Sequence, residues 1–316
     1  MLEGDNAMVI STGMRTDIPA FYSKWLVNRL IEGFVYVRNP YYPHQVTEYS
    51  LSPDVVDCIT FCTKNPTPII PYLDKLDAYR QFWFVTITPY GKDIEPHVPD
   101  KDKVIDSFKI ISERVGKKAI GWRYDPVFYG KGFDEERHVE AFKHIAEKLN
   151  GYTDSCVLSF LDLYQKVKRN APGIYPPNFN ERKLLAKLLV PIAKQNGITI
   201  RTCCEGEELA PLGIDVSGCQ TRQIIERAIG EKLDVPNRKN QRRGACDCLL
   251  GSDIGAYDTC GHLCKYCYAN AEARLVYENM KMHDPTSPFL VGKLQKGDEI
   301  TKAKQFSYID GQRSFL

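Results

Sequence analysis

The chain has 316 residues, 43% hydrophobic and 26% charged, the composition of an ordinary folded protein and a length that admits a large core or a single α/β barrel. Its formal net charge of +2 argues against a protein whose affinity comes from a large phosphate-neutralising surface, leaving room for a local basic groove at most. The opening "MLEGDNAMVI" lacks the parts of a secretion signal, and no apolar run approaches the ~20 residues of a membrane span, so a cytoplasmic protein with no membrane partner is expected.

Short β-branched runs alternate with stretches of helical apolar spacing. Strands are predicted at 8–11 (MVIS), 58–61 (CITF), 82–88 (FWFVTIT), 119–122 (AIGW), 156–159 (CVLS) and 198–200 (ITI). Helices are predicted where Phe21, Trp25, Leu26 and Leu30 recur, then Val104, Ile105, Phe108 and Ile111, then Phe142, Ile145, Ala146 and Leu149. The longest covers 181–195, with Leu184, Leu185, Leu188 and Leu189 on one face. The segment 33–52 breaks this rhythm and reads as a hairpin inserted after the first helix.

Repeated strand–helix units predict a parallel sheet with right-handed crossovers. Six such units give an α/β fold class, a partial TIM-like (β/α)6 parallel barrel over residues 1–205. After Thr202 the regular apolar runs disappear, apart from helical patterns around 220–229 and 269–278. Residues 206–316 are therefore expected to form a cysteine-rich extension folded over the barrel mouth and held there by metal.

The loops that follow parallel strands converge on one end of such a sheet and carry its chemistry. At those positions the sequence offers Arg15 and Asp17, Lys64 and Asn65, Arg123 and Asp125, and the run "CCEGEE". Together Arg15, Lys64 and Arg123 could form a cationic floor for a carboxylate or phosphate, oriented by Asp17 and Asp125. The ordinary alternative has Asp17 capping a helix that begins near Ile18, with Lys64 and Arg123 solvated.

Eleven cysteines without a secretion signal point to metal ligands or redox groups rather than a disulfide framework. Cys260, Cys264 and Cys267 follow a C-x3-C-x2-C spacing that brings three thiols into one loop and leaves a fourth coordination position free. Structural zinc usually takes four ligands from paired knuckles, whereas short cysteine runs also suit iron–sulfur clusters. Any four of Cys203, Cys204, Cys219, Cys246 and Cys248 could ligate a second, fully coordinated cluster that relays electrons; alternatively Cys246 or Cys248 completes the first. Cys58, Cys62 and Cys156 fall in or beside predicted strands and read as buried small hydrophobes. His262, inside the triad loop, reads as a ligand, a cluster hydrogen-bond donor or a solvated loop residue. The basic run 237–243 (NRKNQRR) reads as a solvated loop, with nucleic-acid contact as the sharper alternative.

The segment "CGHLCKYCYAN" resembles the radical SAM signature, with Tyr266 as the aromatic residue before the third cysteine. The resemblance implies a 4Fe-4S cluster on Cys260, Cys264 and Cys267 whose open iron binds S-adenosylmethionine, and a partial barrel of six units. It also implies that Tyr266 lines the adenine region while Arg15, Asp17, Lys64, Asn65, Arg123 and Asp125 bind cofactor and substrate. The phrases "RTDIPAFYSKWLVNRLIEGFVYVRNPYYP", "FCTKNPTPIIPYL", "TITPYGKDIEPHVP" and "GWRYDPVFY" are similar to an uncharacterised domain family with a C-terminal radical-SAM-like cysteine cluster, distantly similar to spore photoproduct lyase relatives. Two departures stand out. Radical SAM enzymes carry the triad after the first strand, where this chain reads "STGMRTDIP", and the glycine-rich segment that contacts the methionine amine has only "CEGEE" to answer it.

The expected function is a radical SAM-like enzyme that cleaves S-adenosylmethionine reductively, with an electron donor as partner and an unknown, small-molecule or other, substrate. The alternatives are a non-radical iron–sulfur protein for electron transfer or direct ligand binding, and a structural zinc protein.

Overall fold

The computed structural model describes residues 8–235 and 247–309, so Cys246 and the basic run 237–243 lie outside the described residues. In chain order the elements are β1 (Val9–Ser11), α1 (Ile18–Phe21), α2 (Ser23–Glu32), β2 (Phe34–Arg38), β3 (Gln45–Ser50), β4 (Cys58–Thr63), a 3-10 segment (Thr67–Leu76) and β5 (Gln81–Thr86). There follow α3 (Lys101–Val115), β6 (Ile120–Val127), α4 (Glu135–Leu149), β7 (Ser155–Phe160), α5 (Gln165–Asn170), α6 (Phe179–Gln195) and β8 (Thr199–Thr202). The remainder carries α7 (Arg222–Ile229), β9 (Ser252–Asp253), α8 (Ala273–Lys281) and β10 (Glu299–Lys302).

Each expected core strand has a counterpart, and together they form a seven-stranded sheet in the order β8-β7-β6-β5-β4-β1-β9. Every pairing in it is parallel. The seventh strand was not expected. β9 adds to the free edge of β1 through Ile10 opposite Ser252 and Ser11 opposite Asp253. The predicted hairpin is present as antiparallel β2 and β3, and β10 lies parallel to β3 to make a second, three-stranded sheet.

Local chemistry sets the helix ends. Asp134 caps α4 by accepting the Arg137 N–H, and Asn178 with Glu181 forms a full capping box on α6. Gly33 ends α2 in the left-handed conformation, φ 81°, where a side chain would be strained.

Successive residues of the central strands serve opposite faces. On one face Ile59, Phe61, Trp83 and Trp122 pack with Trp25, Phe108, Phe142 and Leu189 from α2, α3, α4 and α6, and the Phe61 and Trp83 rings stack at 3.8 Å. On the other, Cys58, Phe82, Phe84 and Val157 pack with Ile224 and Ile225 of α7 and with Leu233, Val235 and Leu249. Part of the extension thus lies across the second face of the sheet. The reason is that a parallel sheet must be covered on both sides, and Met8, Phe82 and Phe84 make this face apolar. Among the described residues, no helix is long and apolar enough to cross a membrane.

Candidate functional site

The carboxyl ends of β1, β4, β5, β6 and β9 bring together most of the polar residues singled out above. Asp253, at the end of β9, organises the loop after β1. Its Oδ1 accepts from Arg15 Nε at 2.8 Å and from the Gly255 N–H at 3.0 Å, and its Oδ2 accepts the Met14 N–H at 2.9 Å. Asp17 caps α1 through the Ala20 N–H at 3.0 Å, accepts the Lys64 N–H at 2.8 Å, and lies 2.9 Å from His262 Nε2. Asn65 accepts the Thr67 N–H at 3.3 Å and so starts the 3-10 segment after β4.

The anticipated cationic floor is corrected by its partners. Arg15 is paired with Asp253, Lys64 Nζ with Glu95 at 2.9 Å, and Arg123 Nε with Asp125 at 3.0 Å. Buried charges require such pairing, because an uncompensated ion in a low-dielectric interior is costly. Of the two acids proposed to orient these cations, Asp125 does so, whereas Asp17 holds only the Lys64 backbone. Nor are Lys64 and Arg123 solvated, as the ordinary alternative had it.

Glu95 is the residue that the sequence reading missed. It is 1% exposed, and its carboxylate accepts from Lys64, from Thr88 Oγ1 at 2.8 Å, from Lys101 and from the Tyr266 hydroxyl. Burial opposes its charge, but Lys64 and Lys101 outweigh that and bring its pKa down to about 2. Burial likewise opposes both ammonium groups; Glu95 reverses the effect at Lys64, whose pKa is raised, while at Lys101 the neighbouring Lys64 charge adds to the burial and the pKa is lowered. The signal available in the sequence was position alone: "KDIEP" lies in the loop following β5.

The cysteine triad sits in the loop that β9 leads into. Tyr22 OH donates to the Thr259 carbonyl at 2.7 Å, Asn270 Nδ2 to the Cys260 carbonyl at 2.7 Å, and the Lys265 N–H to the Ile94 carbonyl at 3.0 Å. A tight turn closes it, with the Cys267 N–H donating to the Cys264 carbonyl at 3.0 Å and Leu263 in the left-handed region at φ 54°. His262, for which solvation was one reading, is buried at 2% exposure, with its ring edge-on to Phe21 at 4.7 Å. Its burial follows from Asp17, a long-range partner that no local pattern announces. Tyr266 is also buried, its ring 5.4 Å below the Lys64 ammonium.

Two of the three thiols are shifted by their surroundings. Burial pushes the Cys260 thiol up, and Asp17, Cys267 and Cys264 add to it. Burial also raises Cys264, with Glu95 adding and Lys64 opposing. This donor set fits an iron–sulfur cluster in its chemistry: three soft, half-buried thiols in one loop, with lysines nearby to offset thiolate charge, and an N–H···S bond from Ala269 to Cys267 at 3.3 Å. Among the described residues, no three His, Cys, Asp or Glu side chains form a group that could hold a metal ion as they stand. A cluster makes a different demand, since each of its thiolates binds a separate iron.

The second group of cysteines lies beneath the strand ends. Cys219 Sγ is 3.6 Å from Cys203 Sγ and 3.7 Å from Cys248 Sγ. Cys204 follows in a left-handed conformation, φ 58°, and is exposed. Arg123 lies beside this group: burial disfavours its charge, but Asp125 and the thiols of Cys62, Cys219 and Cys203 hold it. Cys58 and Cys156 are buried as expected, whereas Cys62 is only partly so and faces these polar groups.

A family model described as a domain of unknown function, DUF1848, matches residues 9–269. No curated protein matches the chain. Among solved structures, a protein of Bacteroides thetaiotaomicron classed provisionally as an alpha-L-fucosidase aligns at 11% identity and a TM-score of 0.28, over 68% of this chain and 61% of that one. That similarity is too low to carry an argument about fold or activity.

Proposed function

The chain belongs to the DUF1848 family, and we propose that it is an iron–sulfur enzyme of radical SAM type, built on a partial barrel, with a 4Fe-4S cluster on Cys260, Cys264 and Cys267. The observation that carries this reading is the parallel pairing of β9 with β1. In the superfamily that the triad resembles, the cysteine loop follows the first barrel strand. Counted from β9 through β1, β4, β5, β6, β7 and β8, the strands of this sheet are seven parallel neighbours, with the thiol loop after the first and α8 after the loop. The C-terminal triad is then the superfamily order circularly permuted. Residues 1–205 supply all but one of the strands, and 206–316 supply the first strand and the thiols.

When bound, such a cluster supplies the electron for reductive cleavage of S-adenosylmethionine, and an external donor replenishes it. The chain's own groups bind and orient. Lys64 and Lys101 offset thiolate charge near Cys264, and Glu95 fixes the Tyr266 ring beside it. Arg123 and Asp125, paired with each other at the neighbouring strand end, would exchange that pairing to bind a polar substrate.

A second reading, a cluster that transfers electrons without binding S-adenosylmethionine, is favoured by the paired state of the cations at the site. Anaerobic reconstitution with iron and sulfide counts, followed by electron paramagnetic resonance of the reduced protein with and without S-adenosylmethionine, separates the two. The radical reading expects a 4Fe-4S signal that shifts on adding the cofactor and disappears in Cys267→Ala. A signal indifferent to the cofactor supports the second reading, and colourless protein with stoichiometric zinc at the triad overturns both.

A further inference from the structure

We infer that Cys203, Cys219 and Cys248 form a separate site for one divalent, thiophilic metal ion, zinc by preference. The three thiols come from three distant segments: the residue after β8, the loop before α7, and the strand-like stretch that returns toward β9. Chain connectivity alone gives no reason for them to meet. Yet Cys219 touches both others, at 3.6 and 3.7 Å, on the apolar side of the sheet where Ile224, Ile225 and Leu249 exclude water.

The distance is the discriminating quantity. Two thiolates on one tetrahedral ion, each at about 2.3 Å from it, stand roughly 3.8 Å apart. A cuboidal cluster separates its thiolates further, because each binds its own iron. The observed contacts therefore match the edges of a single-ion site and are too short for a second cuboidal cluster. They are equally the contacts of S–H···S hydrogen bonds, with Cys219 in the middle and donating to Cys203. The three do not yet enclose a common point, so metal binding draws Cys203 and Cys248 around Cys219 and expels the thiol protons. The backbone is prepared for thiolate charge: the Gln220 N–H donates to Cys248 Sγ at 3.3 Å, and the Leu249 N–H donates to the Gln220 carbonyl at 2.8 Å, which fixes these two segments against each other.

Bound there, the ion joins the end of β8 to the segments on either side of α7 and so clamps the covering layer to the sheet. This site is independent of the triad and stands or falls without it. Soft thiolate ligands against an apolar layer select zinc over magnesium or calcium, and three protein thiolates leave the fourth position of a tetrahedral ion to water or a further ligand.

The test uses the full chain carrying Cys260→Ser, Cys264→Ser and Cys267→Ser, purified without oxygen, stripped with a chelator and titrated with cobalt(II). We expect one equivalent bound, with the intense visible bands and thiolate charge-transfer absorption of a tetrahedral, sulfur-rich site, release of protons on binding, and loss of colour when zinc displaces cobalt. Adding Cys219→Ser should remove these bands and weaken binding by more than about 100-fold, beyond what the loss of a supporting contact does. Cys156→Ala, at a buried thiol in the other core, should leave the spectrum unchanged. Weak octahedral bands in the triad variant overturn the inference. So does iron bound with inorganic sulfide at these thiols, which would make the site a cluster, and so does mass-spectrometric detection of a Cys219 disulfide in the anaerobic protein.

Discussion

Replacing Glu95 by Gln removes one charge and almost no volume from the centre of the strand-end network. The carboxylate is 1% exposed and is the shared partner of the Lys64 and Lys101 ammonium groups, whose side chains are 15% and 26% exposed. The amide can still meet Thr88 and Tyr266, but it leaves two close, mostly buried positive charges facing each other. Breaking a buried pair in this way costs about 3–5 kcal/mol. A second route gives a similar figure: a carboxyl whose pKa falls from its ordinary 4.5 to about 2 on folding contributes on the order of 3 kcal/mol at neutral pH. Because the folded value is the depressed one, this contribution is complete above about pH 5 and is lost as pH falls toward 2. Urea unfolding of both proteins at pH 7 should show the loss, and repeating it between pH 5 and 2.5 should show the wild type converging on the variant. The surface pair Lys143–Glu147 is the control, where Glu147→Gln should change stability by less than about 0.5 kcal/mol. A Glu95→Gln effect no larger than that, or a gap that stays constant with pH, would refute the reasoning.

Two further substitutions probe how the triad loop is held. Gly251 leads into β9, and a Cβ there would lie 2.1 Å from the Val9 carbonyl oxygen, so Gly251→Ala must push β9 away from β1. Overpacking of this kind costs about 1–3 kcal/mol; the expected result is faster amide exchange across residues 252–267 and a weakened cluster signal, with the α4 and α6 amides unaffected. His262→Ala deprives the Asp17 carboxylate and a buried ring site of their contact, a loss of about 1–3 kcal/mol. It should loosen the triad loop in hydrogen exchange, and unchanged protection there would mean that the loop's other bonds, such as Lys265 N–H to Ile94 and Asn270 Nδ2 to Cys260, suffice to hold it.

Periodicity made the sheet legible. The runs CITF, FWFVTIT and CVLS are continuous apolar stretches because the strands they become are buried on both faces, and their order along the chain is nearly their order in the sheet. The triad was legible from spacing, and Asp17 as a helix cap from its place before Ile18. What the sequence could not supply were pairings made across the fold. β9 has two residues and β10 is exposed throughout, so neither carries an apolar signal; each exists as a strand only because β1 or β3 offers it an unpaired edge.

The same division holds for the charged groups. Residue types and their places after strands were enough to bring Arg15, Lys64 and Arg123 to one end of the sheet, since parallel strands must deliver their following loops there. Whether those cations stand free or neutralised depended on Asp253, Glu95 and Asp125. The first two come from other loops, and a carboxylate that far off along the chain becomes a partner only when folding removes the water between them. The contact of Cys219 with Cys203 and Cys248 is of this kind too. Sequence could count the thiols, while their separation was fixed by the packing of the covering layer against β8.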